Sequence, residues 1–584
     1  MKRSEFIRVS SLAALAPLGG SVFGAPRPAD RDEAFFKKIL AINDAIVGDI
    51  LATIQAANLK FGRKIAYDIS SLAAAWACPE SRYYHDSALV EKLQILVDFL
   101  RSSQAPDGTV NVGNLESPPD TAFVVEIVSP GAHILSKETA PELAAVNAGL
   151  KQVLVQAGNA LLTGGLPTPN HRRVVCAAMA QINAIYPNSR YGQRINEWLG
   201  EGVFIDADGH YPERSGTYSS VEDNAFITIA RLMNKPALFG PVRKNLEMYR
   251  YYIEENGELV SNDSRRQDQY APRMAGIFYL SYRYMAIRDK NPDFAAVAQQ
   301  IETTRLFKEE VLDRALPMVM ENALLQQQLP EAAPMPDEYV RFFPTSSLLR
   351  VKRRDMACTL FGGVDQPLII ASGRSCSPDF FSFRRGKAIL KYLRLSSGFF
   401  STGYFYSEGM RRDGLKYILH KKLQVPYYQP LPANKRKPSG DYKLSPSIDD
   451  RFWNKMDFSN RPVSNVKILD TRVVFSEITG GVQLEIDING MQQVPVTIEL
   501  CFPEEGKLSG SLKQVGSDYF LQSGFGELEI GGDRIQFGEG GMEHQTIVNL
   551  EGERYSTHFG SLRTSGKRVF ITGYSPFKKI LIFR

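Results

Sequence analysis

Near residue 330 the spacing of apolar residues changes from three-and-four to two, and this change limits what the chain can fold into more than any other feature. Upstream, Ile39, Ile42, Ile46, Ile50 and Ile54 recur at helical spacing, as do Leu93, Leu96, Val97 and Leu100, and again Leu143, Val146, Leu150 and Val153. Turn-forming clusters separate these runs: Ala105-Pro106-Asp107-Gly108, Gly164-Gly165-Leu166-Pro167 and Tyr186-Pro187-Asn188. The stretch from Gln326 to Pro336 has the composition of a linker. Downstream, Val482, Leu484, Ile486 and Ile488 alternate with polar residues, and so do Val494, Val496, Ile498 and Leu500. Leu528-Glu529-Ile530, a turn at Gly531-Gly532, and Arg534-Ile535-Gln536-Phe537 spell a hairpin. Residues 430–465, rich in Pro, Lys and Ser, read as a long loop.

A helical half followed by a strand half is an α+β multidomain chain, its second half expected to be an antiparallel β-sandwich. At 584 residues the chain exceeds one ordinary core. We place the helical domain at 25–330 and the β-sandwich at 331–584. No close internal repeat is present.

Residues 1–24 carry the marks of an export signal. Lys2, Arg3 and Arg8 form a positive start, Val9 to Val22 is mostly small and apolar, and Val22-Phe23-Gly24 precedes Ala25. The expected location is periplasmic or extracellular. No later apolar run is long enough to span a bilayer, so membrane insertion is not expected. The five cysteines are widely spaced with no CxxC pair, which argues against a zinc site or disulfide framework and for buried thiols. No cofactor or metal is expected. A net charge of +5 is no nucleic-acid signature, but a basic cleft suits an anionic glycan.

Two segments concentrate reactive side chains. Asn170-His171 follows Pro167-Thr168-Pro169 at a loop-to-helix junction, where Asn170 could equally cap the helix. About forty residues on comes Asp208-Gly209-His210-Tyr211-Pro212-Glu213-Arg214-Ser215-Gly216-Thr217-Tyr218. A third polar run, Asn262 to Tyr270, contains Arg265 and Arg266, whose guanidinium forks suit carboxylates and sulfates. Together they hold a phenol, an imidazole, an amide and guanidinium groups. These groups can take a proton from a carbon beside a carboxylate while the developing charge is stabilised.

The second segment resembles the active-site strip of the heparinase II/III-like polysaccharide lyases, in which an Asn-His or similar pair precedes a D-G-x-x-x-E-x-S-x-x-Y run. The helix-then-sandwich order is similar to the heparinase and alginate lyase architecture, which implies an incomplete α/α toroid. The resemblance implies a secreted lyase of uronate-containing polysaccharides. Tyr218 would be base, acid or both, with His171 lining the cleft as its acid–base partner, and Asn170 with an arginine would hold and neutralise the substrate carboxylate. A free phenol ionises near about pH 10, so Arg214 or a protonated His171 is expected to supply a cation for Tyr218. Arg265 or Arg266 would clamp the acidic sugar, with Tyr211 and His210 as further contacts. Glu213 is expected to orient Arg214 or a loop. The family's β-domain histidine has no counterpart in Ser372–Phe380. Arg374, Tyr404, Tyr406 or His420 would take its place.

Two other readings remain open. A glycoside hydrolase would need two carboxylates flanking the bond, with Asp206, Asp208, Glu213, Glu222 and Asp223 as candidates. A non-catalytic glycan-binding protein would keep the arginine and aromatic contacts without turnover.

Overall fold

A computed structural model describes residues 30–55, 58–266, 268, 272–363, 378–400, 402–447, 453–547 and 565–584. The expected leader, Arg374 and Cys376 lie outside these residues. Among the described residues twelve α-helices occupy the first half, and capping chemistry fixes the starts of six. Asp32, Asp86, Ser117, Asn188, Ser215 and Asn291 each accept a backbone N–H of the first turn, and Pro118, Pro169 and Pro292 stand at first helical positions. Four helices, Arg63–Ala77, Pro118–Leu135, Pro169–Ile185 and Gly216–Leu232, pack side by side as an inner wall. Ser87–Ser102, Ala144–Thr163 and Ser189–Gly200 form the outer layer, and Asp313–Glu321 packs back against the first two inner helices. This is the incomplete α/α toroid. Close approach within the wall depends on small residues. A Cβ on Gly131 would sit 2.8 Å from the Ser70 Cα, so any side chain there would push the first two inner helices apart.

The last helical turn of this half ends at Gln326, and the first strand of a curled sheet, fifteen-stranded among the described residues, begins at Glu338. Five antiparallel strands run from Glu338–Phe343 to Ala388–Ser397, followed in space by Pro495–Phe502 and Lys567–Tyr574. The sheet then turns back through Asp518–Ile530, Asp533–Gly538, Phe577–Phe583, Gly481–Gly490, Val463–Ile478, Lys416–Tyr428 and Met410–Asp413. Its two arms face each other as a sandwich: the Phe381 and Phe583 rings stand 5.1 Å apart and those of Phe342 and Tyr417 5.6 Å apart. The pairing departs from pure antiparallel at one junction, where Tyr519 and Phe520 lie parallel to Val569 and Phe570. The long connection between residues 538 and 567 allows this re-entry in the same direction. The expected hairpin is present, with Ile530 opposite Asp533 and both turn glycines at positive φ, 60° and 92°. Cys78, Cys176, Cys358 and Cys501 are buried free thiols.

Buried charges join the halves. Arg350 of the sheet donates through both Nη atoms to Glu254, each at 2.8 Å, and Arg384 reaches Glu258 at 2.6 Å. Burial pushes Glu254 up, but Arg350 and Arg384 outweigh it and hold the carboxyl below its ordinary value. Ser346 donates its N–H (3.0 Å) and hydroxyl (3.2 Å) to Asp208. The β half is thus anchored on the strip that carries Tyr218. Among the described residues no helix is long and apolar enough to cross a membrane.

Candidate active site

The helix Pro169–Ile185 begins at Thr168, which makes no side-chain cap bond. Glu213, 43 residues later, fills that role: its Oε1 accepts the Asn170 N–H at 3.2 Å and the Asn170 Nδ2 at 2.5 Å. A carboxylate there also meets the positive end of the helix. Asn170 is therefore held by Glu213 rather than acting as a cap itself. Its Nδ2 also reaches the Thr168 hydroxyl at 3.1 Å. Its Oδ1 is buried without a partner among the described residues, so the atom it can offer is an acceptor.

The other Glu213 oxygen accepts Arg266 Nη1. Arg266 then donates through Nη2 to the Tyr218 hydroxyl at 3.1 Å, and its guanidinium carbon sits 4.2 Å from the Tyr218 ring centroid. The result is one continuous chain, Asn170–Glu213–Arg266–Tyr218, across the N-terminal ends of two inner helices. Ser215 fixes the second helix. Its Oγ accepts the Tyr218 N–H at 3.2 Å and donates to Asp268 at 2.8 Å.

His171 faces the neighbouring inner helix, with its ring edge-on to Phe123 at 6.1 Å. Burial pushes its pKa below the ordinary 6.5, although Glu213 and Asp120 act against this. The cation in contact with Tyr218 is Arg266. Beyond Phe123, Arg63 covers the other part of the ring at 4.5 Å and reaches Asp120 at 3.1 Å. Arg63 carries a cation in a first helical turn, where the dipole disfavours it. That mismatch is the sequence signal that could have marked it as part of this rim.

Several candidates turn elsewhere. Arg214, at φ 45°, points to the β half and donates to the Thr345 carbonyl at 3.1 Å, with Asp206 at 4.0 Å. The expected pairing of Arg214 with Tyr218, and of Glu213 with Arg214, is replaced by Arg266 in both cases. Arg265 donates to the Pro212 carbonyl at 2.7 Å and so staples the strip's backbone. Tyr211 is 1% exposed and its hydroxyl donates to Asp223 at 2.8 Å. His210 is equally buried, 3.0 Å from Asp263 and 3.1 Å from the Tyr252 hydroxyl. Both side chains are packed in the interior, which removes them as substrate contacts. In the β half, the contacts described for Tyr404, Tyr406 and His420 are with Arg394, Lys421 and Asp470 on neighbouring strands.

No family model and no curated protein matches the sequence. Solved structures do match the fold. Heparinase III aligns over 88% of this chain and 75% of its own, with a TM-score of 0.53 at 11% identity. The chondroitin AC lyase of Streptomyces coelicolor A3, solved with chondroitin sulphate, aligns over 94% and 80%, with a TM-score of 0.53 at 13% identity. Paenibacillus xanthan lyase aligns over 94% of this chain but 55% of its own, with a TM-score of 0.56 at 9% identity. The fold is that of the polysaccharide lyases.

Proposed function

We propose that this protein is a polysaccharide lyase that cleaves a uronate-containing glycan by β-elimination, and that residues 1–24 direct its export. The observation that carries this reading is the placement of Arg266 on both the ring and the oxygen of Tyr218, tied through Glu213 to Asn170. In the reaction Tyr218 removes the C5 proton of the uronate. Electrons pass into the carboxyl group as an enediolate, the bond from C4 to the glycosidic oxygen breaks, and the departing oxygen takes up the proton that Tyr218 received, which restores the phenolate. The new end is an unsaturated uronide. Arg266 places positive charge beside the phenol oxygen, which favours the phenolate needed to take the proton. Asn170, fully buried, fixes Glu213 behind Arg266 and so acts on the site through that carboxylate. Arg63 and the positive ends of the inner helices add a field that favours an anion.

Elimination is supported over paired-carboxylate hydrolysis by the occupation of the acids. Glu213 is bonded to Asn170 and Arg266, Asp208 to Ser346, and Asp223 to Tyr211. Glu222 is buried, 2% exposed, out of reach of a glycosidic bond. The test is a panel of uronate polymers monitored for the ultraviolet absorbance of the unsaturated product. New reducing ends without that absorbance would favour the hydrolase, and binding without cleavage the glycan-binding protein.

A further inference from the structure

The chain's positive charge is unevenly placed. From Met410 to Ile478 there are 14 Lys and Arg against 7 Asp and Glu, whereas the rest of the chain has 55 against 57. This segment comprises the last strands of the curled sheet and the excursion Gln429–Pro462 that joins Lys416–Tyr428 to Val463–Ile478.

Within its described residues, the excursion is a folded arm. Gln429 N–H bonds the Pro462 carbonyl at 2.8 Å where the strands part. The Tyr428 and Phe458 rings lie 4.6 Å apart. Arg461 Nε donates to the Met456 carbonyl at 2.7 Å, and Ser445–Pro446 pairs with Trp453–Asn454. The Tyr442 hydroxyl accepts the Lys437 N–H at 2.9 Å and donates to the Lys437 carbonyl at 3.2 Å. These bonds hold lysines in fixed places. Lys435 and Lys443 both act on Asp457, and Lys437 and Lys455 on Asp441, so each acid faces two cations.

Large rings are left in solvent beside this charge. Trp453 is 64% exposed and Tyr427 50%. Each ring leaves an apolar face open to solvent among the lysines, although Tyr427 also packs edge-on to Phe400 at 6.0 Å. Flat rings stack on sugar faces, and lysines between them meet carboxylates or sulfates.

We propose that this arm, with Tyr427, Trp453, Lys435, Lys437 and Lys443, is a second binding surface for acidic polysaccharide, formed by residues other than those of the Tyr218 cluster. This rests on the reading of the substrate as an acidic glycan. Nucleic acid has the same sign of charge, but the fold shared with chondroitin AC, xanthan and heparinase III lyases favours the glycan. A polymer held on the arm raises the local concentration of cleavable bonds at the cleft.

The test uses the full chain carrying Tyr218→Phe, so that the polymer survives the measurement. Binding is followed by affinity electrophoresis through gels containing chondroitin sulphate, alginate or polygalacturonate, with duplex DNA as the comparison. Reversing three exposed lysines (K435E/K437E/K443E) should weaken glycan binding roughly tenfold, since each exposed pair contributes modestly and the three add. W453A should weaken binding several-fold, with thermal midpoints unchanged in both variants. The control K507E/K513E, on the exposed strand Lys507–Val515, should bind as the parent does. An equal loss in the control would mean net charge alone and would overturn the proposal, as would a triple variant that loses only DNA binding. If the triple variant binds glycan less well but the Tyr218 chain yields no unsaturated product, the arm stands and elimination falls. If product forms and the triple variant binds glycan normally, elimination stands and the arm falls.

Discussion

Residues 208–211 and 213–218 are one continuous strip of sequence, yet they serve opposite ends. Asp208, His210 and Tyr211 turn inward: Asp208 bonds Ser346, Tyr211 bonds Asp223, and His210 lies against Asp263. Burial pushes Asp263 up, but His210, Arg214 and Tyr252 together hold it below its ordinary value. Glu213 and Tyr218 instead meet Arg266 at the ends of the inner helices. Arg214 divides the two, its positive φ swinging the chain from the interior to the rim. Interior polar groups are bonded to one another, with His210 Nδ1 and Asp223 Oδ2 left over among the described residues, whereas Glu213 and Tyr218 at the rim are bonded to a cation, Arg266. The difference teaches that chemical capability in a strip is decided by what its side chains are already bonded to, more than by their type.

The largest expected effect tests the rim directly. Tyr218→Phe keeps the ring under Arg266 and removes only the oxygen, so turnover of the cleavable polymer should drop about 10²–10⁴-fold with an unchanged thermal midpoint. Near-normal turnover would end the assignment. Next, Arg266→Ala should lower kcat by about 10²–10³-fold through loss of the charge at the phenol oxygen. Glu213→Gln should act in the same direction, and because it touches Asn170 as well it should raise KM too. A Glu213→Gln enzyme with wild-type constants would disconnect the two helix ends.

His171 adds a pH signature to the same rim. Its pKa lies below 6.5 because burial disfavours the charged ring. If neutral His171 serves as a proton carrier, activity is present above its folded value and is lost as pH falls through it. The acid limb of kcat/KM should therefore lie below 6.5 and disappear in a His171→Gln enzyme that retains residual turnover. An acid limb unchanged by the substitution would assign it to another group.

The architecture was legible because periodicity is a property of whole segments. Leu93, Leu96, Val97 and Leu100 are buried at their three-and-four spacing, Ile39 and Ile50 are buried with Ile42, Ile46 and Ile54 half-buried, and Val482 to Ile488 are buried at every second residue. Asn170 and Tyr218 were legible as neighbours through their motif. Their linkage was not, because Glu213 and Asn170 stand 43 residues apart and no local pattern encodes that bond. Nor could Arg265 and Arg266 be told apart, since a loop has no period to say which side chain faces in. Arg214 stands four residues before Tyr218, but the helix starts only at Gly216, so the two do not share a helical face.

The interior half of the strip should respond in stability and not in rate. Tyr211→Phe removes the donor to Asp223, whose carboxyl burial already pushes well above its ordinary value. Leaving that buried group without its partner should cost about 1–3 kcal/mol in denaturant unfolding. Turnover per folded molecule should stay near wild type. A large fall in kcat with unchanged stability would return Tyr211 to the site.

The smallest effect is expected one residue from one of the largest. Arg265→Ala deletes the 2.7 Å bond from Nη1 to the Pro212 carbonyl but leaves the backbone bond from its N–H to the Glu213 carbonyl, 3.3 Å, in place. One hydrogen bond at a half-buried site contributes about 0.5–1.5 kcal/mol, so the midpoint should shift slightly. Pro212 precedes Glu213, and any slackening there reaches the carboxylate that holds Asn170 and Arg266. A modest rise in KM is therefore expected, far below the loss in Arg266→Ala. Measuring both variants on one polymer makes the contrast decisive. Equal damage would show that the two guanidinium groups act as one clamp and that the division between rim and interior is drawn in the wrong place.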